Sequence, residues 1–314
     1  MVDQFGRAVD YLRLSVTDLC NYRCRYCMPE DGVCKRSHSD ILRVEECVEI
    51  VRAAAACGVR KVRLTGGEPL VRRGVLDICR GIAALPGVEE LCLTTNGRLL
   101  PELAAPLREA GVSRLNVSLD TLRPDRFRSI TRCGELSQVL DGIAAAQEAG
   151  FDGLKLNTVL INGFNDDEIG DFLALTADCP WEVRFIELMP MGPCAGWGGD
   201  RFLSCGEVPR RFPALEPLEK QGVARRYRLP GARGTVGLIS PLSRAFCAQC
   251  SRIRVTADGM LKPCLHSREE IPLRGLRGAE LEETIRRGIF QKPQEHHLTQ
   301  RPSDTPRTMD QIGG

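Results

Sequence analysis

Residues 20–27 read CNYRCRYC and place three cysteines, Cys20, Cys24 and Cys27, on one short loop. A 4Fe–4S cubane needs an outer ligand at each of its four irons, so three thiolates leave one iron open. An open metal position can take a substrate or cofactor, as the open position of a catalytic zinc site does. The C-x3-C-x2-C spacing therefore predicts a cluster with one free iron. A zinc site or unrelated buried cysteines are the alternatives.

A strand leads into this loop, and a second strand ends at a pair of glycines. Residues 11–16 (YLRLSV) predict the first strand, and residues 61–65 (KVRLT) predict the second, which runs into Gly66-Gly67-Glu68-Pro69. Glycines at a strand end let the backbone approach a ligand closely, and the glutamate can accept a hydrogen bond from an amine. With Tyr26 before its last cysteine, the loop and this GGEP segment resemble the radical S-adenosylmethionine (SAM) superfamily.

The superfamily resemblance implies the chemistry of the cysteine loop. The open iron binds SAM through the amino and carboxylate groups of its methionine part. An electron from the cluster then cleaves SAM to methionine and a 5′-deoxyadenosyl radical, which abstracts hydrogen from a substrate.

Strands and helices alternate through the first part of the chain. Further strands are predicted at 90–95, 114–119, 154–160 and 182–186, and helices at 44–57, 72–84, 99–110, 135–149 and 166–177. Six strands in βα units predict a parallel sheet, and six instead of eight favours an incomplete (βα)6 TIM-like barrel, as in the resembled superfamily. Because ligands bind at the carboxyl ends of such strands, we expect one mouth that includes Thr94, Ser118, Lys155 and Glu187.

Composition narrows the class of protein. The chain has 314 residues, 43% of them hydrophobic, and a formal net charge of +2. This size fits a single α/β barrel domain. A net charge this small says little about nucleic acid or membranes, and we expect neither as a partner. Residues 1–20 lack an apolar leader, and no stretch approaches the roughly 18 apolar residues of a membrane span. We therefore expect a cytoplasmic protein whose 15 cysteines are metal ligands or small buried side chains.

A second cysteine set lies at Cys247, Cys250 and Cys264. Asp258-Gly259, between the last two cysteines, is a hairpin signal, and such a hairpin brings Cys264 back beside Cys250. Three thiolates again predict a 4Fe–4S cluster with one free iron. A zinc site completed by His266 is the alternative.

Several further segments share one resemblance. They are MPEDG (28–32), TGGEPL (65–70), LTTNG (93–97), LNVSLD (115–120), RFIELMPMG (184–192), FCAQCSRIRVTADG (246–259) and the final Gly313-Gly314. Together they are similar to the GTP 3′,8-cyclase family of molybdenum cofactor biosynthesis. In that family the radical removes the 3′ hydrogen of GTP, and the carbon radical attacks guanine C8 to give 3′,8-cyclo-7,8-dihydro-GTP. The resemblance implies a lyase with two 4Fe–4S clusters and SAM.

The family resemblance also implies the site residues. The first cluster is held by Cys20, Cys24 and Cys27, and the second, whose free iron binds guanine, by Cys247, Cys250 and Cys264. SAM is bound by Tyr26, Gly67, Glu68, Ser118 and Met189. GTP is bound by Arg13, Lys61, Arg63, Thr94, Lys155, Arg184, Arg252 and Arg254. Gly313 and Gly314 are implied to reach into the active site and to help the radical step.

The basic residues of this set suit a triphosphate. Lys61 and Arg63 share one strand face, as do Arg252 and Arg254, because side chains alternate along a strand. GTP carries roughly four negative charges near pH 7, and arginine forks and lysine point charges both bind phosphate. The sequence contains no P-loop motif, so we expect the triphosphate to be bound without being hydrolysed.

We expect three parts and several partners. The parts are a radical SAM core over 1–190, a small β-rich extension over 191–292 with the second cluster, and a mobile tail over 293–314. The resemblance implies GTP, a reductant protein such as flavodoxin or ferredoxin, and cyclic pyranopterin monophosphate synthase as the next enzyme, with a homodimer as one option. The alternatives are another radical SAM enzyme with an auxiliary cluster, such as a peptide-modifying maturase, and a non-enzymatic iron–sulfur or zinc scaffold.

Overall fold

The computed structural model describes residues 1–33, 37–298 and 303–313. Its first six strands are β1 Tyr11–Ser15, β2 Lys61–Thr65, β3 Glu90–Thr95, β4 Arg114–Ser118, β5 Lys155–Leu160 and β6 Glu182–Glu187. Each of these strands pairs in parallel with the next one along the chain. The six strands and the parallel pairing predicted from the sequence are confirmed.

The C-terminal part of the chain adds strands at both edges of this sheet. These are β7 Glu216–Gln221, β8 Ala224–Arg228, β9 Thr235–Ile239, β10 Arg252–Val255, β11 Met260–Lys262 and β12 Ile271–Pro272. β9 pairs in parallel with β6, and β10 pairs in parallel with β1. All these strands, within the part of the chain that the structure describes, form one sheet in the order β12-β11-β10-β1-β2-β3-β4-β5-β6-β9-β8-β7. The expected boundaries after residues 190 and 292 stay a prediction.

Helices join the parallel strands and cover the outer face of the sheet. They are α1 Val44–Ala56, α2 Val75–Ala83, α3 Leu100–Glu109, α4 Pro124–Thr131, α5 Leu136–Glu148, α6 Ile169–Asp178, α7 Glu207–Arg211, α8 Gly278–Phe290 and α9 Met309–Ile312. α1 illustrates why they form, since it buries Cys47, Ile50, Val51 and Ala54 at helical spacing. In the described ranges we find no helix long and apolar enough to span a bilayer.

The helices differ from the sequence prediction in two respects. The helices expected from residues 72 and 166 begin later, at Val75 and Ile169. The prediction also missed α4, α7, α8 and α9. α4 starts at Pro124, whose fixed φ suits a first helical turn, and its only buried large apolar side chains are Phe127 and Ile130. Two apolar positions are too few to give a periodic signal.

Side-chain alternation divides the sheet into an apolar outer face and a polar inner face. On β1 and β2, Leu12, Leu14 and Leu64 belong to the buried core, while Arg13 and Arg63 line an inner cavity. Residues of β4, β5, β6, β9 and β10 line the same cavity. The sheet therefore curves around a polar interior, and its curvature brings both edges of the parallel part to one site.

Candidate active site

The first cysteine set occupies the loop that follows β1 and precedes α1. Cys20, Cys24 and Cys27 are all partly buried, and a tight turn holds the loop through a bond from the Cys27 amide to the Cys24 carbonyl oxygen at 2.9 Å. Burial raises the pKa of Cys20 to about 12 and the pKa values of Cys24 and Cys27 well above their ordinary range. Three thiols on one short loop fit the donor set of an iron–sulfur cluster, whose positive irons favour the thiolate form.

The GGEP segment packs directly on this cysteine loop. The Gly67 amide donates to the Thr17 carbonyl oxygen at 2.8 Å, and the Glu68 amide donates to the Leu19 carbonyl oxygen at 2.8 Å. A Cβ at Gly67 would lie 2.5 Å from the Leu19 oxygen and 2.6 Å from the Asp18 oxygen. Only glycine permits this approach, so Gly67 lets the GGEP segment lie directly against the cysteine loop.

The Glu68 carboxylate is buried at the end of β2. Oε1 accepts hydrogen bonds from the Leu70 amide at 3.0 Å and from Thr95 Oγ1 at 2.8 Å, and Oε2 accepts from the Asn96 amide at 2.7 Å. Burial raises the pKa of Glu68 to about 7. A carboxylate oxygen has two lone pairs, so Oε2 retains capacity for one more donor, such as an ammonium group.

Tyr26 ties the cysteine loop to the carboxyl ends of the central strands. Its hydroxyl donates to Asp120 Oδ2 at 2.7 Å, and Asp120 Oδ1 accepts from the Val159 amide at 2.9 Å. Ser118 ends β4 just before this carboxylate. These positions put Tyr26 and Ser118 at the same end of the sheet as GGEP, as the sequence predicted.

A cavity of about 460 Å³ fills the interior of the curved sheet. Its basic lining residues are Arg13, Lys61, Arg63, Arg114, Lys155, Arg184, Arg252, Arg254 and Lys292. Asp10 is the one acidic residue among its described lining residues. The structure therefore brings together all the predicted GTP-binding residues except Thr94, which is not among the lining residues and accepts a hydrogen bond from Arg63 Nη1 at 3.3 Å.

Two basic lining residues were not predicted. Arg114 begins β4, two positions before the lining residue Asn116, so strand alternation could have identified it. Lys292 follows α8 and donates to the Arg252 and Pro263 carbonyl oxygens at 2.9 and 2.8 Å. No sequence pattern marks a lysine that is positioned by such long-range contacts.

The predicted mouth is wrong for Lys155. Lys155 is the first residue of β5 and pairs with Glu182, the first residue of β6, so it lies at the amino end of the strands. Glu187 does end its strand, but its carboxylate binds the Leu242 and Ser243 amides at 3.0 Å each. The candidate site therefore extends along the inner face of the sheet, from the amino ends of the strands to their carboxyl ends.

Basic side chains outnumber carboxylates among the described residues that line the cavity. Glu182 bridges Lys155 Nζ at 2.7 Å and Arg184 Nε at 2.6 Å. Burial lowers the pKa of Arg13 well below its ordinary value, and the nearby charge of Arg254 lowers it further. Like charges held in a buried site at this density favour the binding of an anion.

The Tyr11 hydroxyl is part of the same charge pattern. It accepts a hydrogen bond from Arg63 Nε at 2.6 Å. Burial raises the pKa of Tyr11, but the charges of Arg63 and Arg13 outweigh that effect and bring it to about 8.

The second cysteine set lines this cavity. The β10–β11 hairpin pairs Arg254 with Lys262 and returns the chain toward Cys250, as the hairpin signal predicted. Cys247, Cys250 and Cys264 are all partly buried and all contribute to the lining. Burial opposes ionisation of Cys250, but Lys292 and its other cationic neighbours outweigh burial and lower its pKa.

The second set differs from a four-ligand zinc site. Within residues 1–33, 37–298 and 303–313, no three His, Cys, Asp or Glu side chains converge closely enough to hold one metal ion. His266 Nδ1 is instead 3.1 Å from Ser303 Oγ. A cubane binds each thiolate at a separate iron, so three cysteines can hold a cluster without His266 as a fourth ligand.

The C-terminal tail reaches the boundary between the two cysteine sets. The Gly313 carbonyl oxygen accepts hydrogen bonds from Arg254 Nη1 at 3.0 Å and from Arg13 Nε at 3.4 Å, and Met309 lines the cavity. Arg307 anchors the tail through Glu270 Oε2 at 2.6 Å. Met189, an expected SAM residue, lines the cavity as well. The other expected tail residue, Gly314, lies outside the described residues.

Comparisons with known proteins agree across the chain. Residues 14–176 match the model of the radical SAM superfamily, and residues 181–298 match the model named Molybdenum Cofactor Synthesis C. A GTP 3′,8-cyclase of Alkaliphilus metalliredigens is 51% identical over 320 residues and covers 100% of both chains. A GTP 3′,8-cyclase of Geobacter sulfurreducens is 50% identical over 309 residues, covering 95% of this chain and 94% of its own.

Solved structures show a similar fold at low identity. SuiB of Streptococcus suis is 12% identical with a TM-score of 0.62, covering 93% of this chain and 67% of its own. The FeFe-hydrogenase maturase HydG of Carboxydothermus hydrogenoformans is 17% identical with a TM-score of 0.52, covering 68% and 51% respectively. These two likenesses concern the fold alone.

Proposed function

The chain belongs to the radical SAM superfamily and, within it, to the GTP 3′,8-cyclase family, and on that premise we propose that its basic cavity is the GTP site. The protein is a lyase that converts GTP to 3′,8-cyclo-7,8-dihydro-GTP in molybdenum cofactor biosynthesis, and it uses SAM and 4Fe–4S clusters. One observation carries the site assignment: nine Lys and Arg side chains, one acidic residue and the second cysteine set line a single cavity.

The basic side chains bind the triphosphate. GTP brings roughly four negative charges near pH 7, which offset the mutual repulsion of Arg13 and Arg254. Lys155 and Arg184 share one carboxylate, Glu182, between two cations, so this pair has positive charge left for a phosphate oxygen. Among the described lining residues, Asp10 is the one carboxylate that would repel the ligand.

The two cysteine sets divide the remaining tasks. Cys247, Cys250 and Cys264 would hold the second cluster beside the triphosphate site, where its free iron suits a guanine nitrogen or oxygen. Cys20, Cys24 and Cys27 would hold the first cluster; when bound, that cluster and SAM supply the electron and the radical. Glu68 offers its remaining lone pair to the SAM ammonium group, and Tyr26 keeps the loop in position through Asp120.

We also propose the finer architecture and the partners. Six parallel strands in chain order, with β9 and β10 lining the same cavity, support an incomplete (βα)6 barrel with a C-terminal extension that carries the second cluster. The reaction needs a low-potential electron that side chains do not provide, which supports a reductant protein such as flavodoxin or ferredoxin. The family resemblance is the basis for two further proposals: that cyclic pyranopterin monophosphate synthase is the next enzyme, and that the protein forms a homodimer.

One anaerobic assay tests this function. The protein is reconstituted with iron and sulfide, reduced, and supplied with SAM and GTP, and the products are identified by mass spectrometry. We expect 5′-deoxyadenosine together with a cyclised isomer of GTP. Deoxyadenosine with unchanged GTP would keep the radical chemistry and contradict the substrate.

Cysteine variants assign the two clusters in the same assay. Cys24→Ala should stop SAM cleavage, whereas Cys250→Ala should stop cyclisation. Cys133→Ala is the control, because Cys133 is exposed and contacts the first cysteine loop but is not part of the C-x3-C-x2-C motif. Cleavage by iron-replete Cys24→Ala, or cyclisation by Cys250→Ala, would refute the corresponding assignment.

A further inference from the structure

Two asparagines in the wall of the basic cavity each have a buried amide oxygen without a hydrogen-bond partner among the described residues. They are Asn116 on β4 and Asn157 on β5, and both line the cavity. Asn116 is only 4% exposed. Buried side-chain oxygens in folded proteins are nearly always hydrogen-bonded, so two unpaired oxygens in one wall indicate a ligand that supplies the donors.

Strand register places the asparagines between the two ends of the site. Asn116 pairs with Lys155, at the end where β5 begins, and Asn157 pairs with Ser118, where β4 ends. Lys155 belongs to the proposed triphosphate site, and Ser118 belongs to the proposed SAM site. The asparagines therefore lie between the phosphate groups and the SAM sulfonium, which is where a ribose has to lie for its C3′ hydrogen to be removed.

The chemistry of the amide selects the ribose over the rest of GTP. Phosphate oxygens only accept hydrogen bonds and cannot satisfy an amide oxygen, whereas a ribose hydroxyl both donates and accepts. A hydroxyl therefore satisfies an asparagine in either orientation of its amide. Guanine is proposed to bind at the second cysteine set, which lies on the β10 side of the cavity.

We propose that Asn157, supported by Asn116, binds the 2′ and 3′ hydroxyl groups of GTP and so points the C3′ hydrogen toward SAM. This inference rests on the proposed function and adds a positioning residue to it. The amide would fix the sugar, while the basic side chains fix the phosphates.

Nucleotide analogues test this role in the holoenzyme. Dissociation constants of GTP, 2′-deoxy-GTP and 3′-deoxy-GTP are measured for the wild type, Asn157→Ala and Asn157→Leu, the last of which keeps the side-chain volume. We expect the wild type to bind at least one deoxynucleotide about tenfold more weakly than GTP, as the loss of a buried hydrogen bond predicts. Both Asn157 variants should bind GTP as weakly as that analogue and should lose the preference.

Asn162→Ala is the matched control. Asn162 follows β5 closely, does not line the cavity and donates to the Asp200 carbonyl oxygen at 2.7 Å. It should keep the wild-type preference. The Asn157 variants should also release more 5′-deoxyadenosine per cyclised product, because a loosely held ribose is missed by the radical.

Two outcomes separate the inference from the proposed function. Suppose that the wild type cyclises GTP. The positioning role is then refuted if the Asn157→Leu protein, with full iron content, keeps the preference for GTP over the deoxynucleotides, or if the wild type shows no such preference. If the wild type does not cyclise GTP at all, the proposed function fails instead.

Discussion

Arg254 and Gly313 lie 59 positions apart and are joined by a hydrogen bond of 3.0 Å from the Nη1 of the arginine to the carbonyl oxygen of the glycine. Arg254 belongs to β10, the strand that leads away from the second cysteine set. The end of the tail is therefore held by a residue that also lines the basic cavity. This bond gives the tail a defined place beside the proposed GTP site.

Gly313→Ala should displace the tail end. Gly313 has φ +79°, and an added Cβ would overlap Thr65 Oγ1 and lie 3.0 Å from the Ser15 Cβ. A side chain in the left-handed region alone costs about 1–2 kcal/mol, and the overlap adds to this. We expect the initial rate of cyclisation to fall at least about tenfold, the equivalent of roughly 1.4 kcal/mol, with iron content and GTP affinity unchanged.

Gly150→Ala is the control that separates the effect of backbone strain from the effect of a steric overlap. Gly150 has nearly the same φ, +81°, and nothing within 4 Å of an added Cβ. It should lower stability without changing the cyclisation rate. If Gly313→Ala turned over as fast as Gly150→Ala, the tail would have no part in the radical step.

The strands that build the site could be predicted because they follow simple periodicities. β1 and β2 alternate polar and apolar residues, and this alternation assigns Arg13 and Arg63 to the polar face of the sheet. The cysteine sets were found because their ligands lie close together in sequence. Motif resemblance supplied the remaining proposed GTP residues, such as Arg184 on β6.

The missed features depend on contacts between distant parts of the chain. Lys155 was placed at the carboxyl end of its strand. The predicted strand, 154–160, in fact had Lys155 as its second residue, which is at the amino end. Lys292 and the anchoring of Arg307 depend on partners far away in the sequence, and no local pattern encodes them. The unpaired amide oxygens of Asn116 and Asn157 become apparent only when every neighbouring atom is known.

GTP affinity should fall as the pH rises from 7 to 9. Burial lowers the pKa of Lys155 to about 8, and the charge of Arg184 adds to the effect. Burial raises the pKa of Tyr11, but neighbouring arginines outweigh burial and bring it to about 8. Above pH 8 the lysine loses its positive charge and the tyrosine gains a negative one. The triphosphate is fully ionised throughout this range, so the dissociation constant should rise about tenfold, with proton uptake on binding near pH 8.

Calorimetry in buffers of different ionisation enthalpy measures this proton uptake. A Lys155→Arg and Tyr11→Phe double variant is the control, because it keeps the positive charge and removes the phenol. Its affinity should be nearly constant between pH 7 and 9. A double variant with the wild-type pH dependence would assign the titration to other groups.

Arg7→Lys should weaken the second cluster site. The Arg7 guanidinium donates to the Cys247 and Gln294 carbonyl oxygens at 2.9 and 2.8 Å, to the Pro293 oxygen at 2.7 Å, and to Asp3 Oδ2 at 2.6 Å. It thus joins the N-terminus, the cysteine loop and the start of the tail. A lysine cannot reproduce this planar fork, and each buried acceptor left unpaired costs about 1–3 kcal/mol.

We therefore expect Arg7→Lys to lower the free energy of unfolding by about 3 kcal/mol and to lose iron from the second site before the first. Urea unfolding measures the stability, and iron counted in a background without Cys20, Cys24 and Cys27 measures the second site. Arg128→Lys is the control, since Arg128 makes a paired contact with Glu135 on the exposed surface, where such pairs contribute about 0–1 kcal/mol. Because both variants exchange the same fork for the same ammonium, equal stability and equal iron content would show that the buried contacts of Arg7 do not support the cluster.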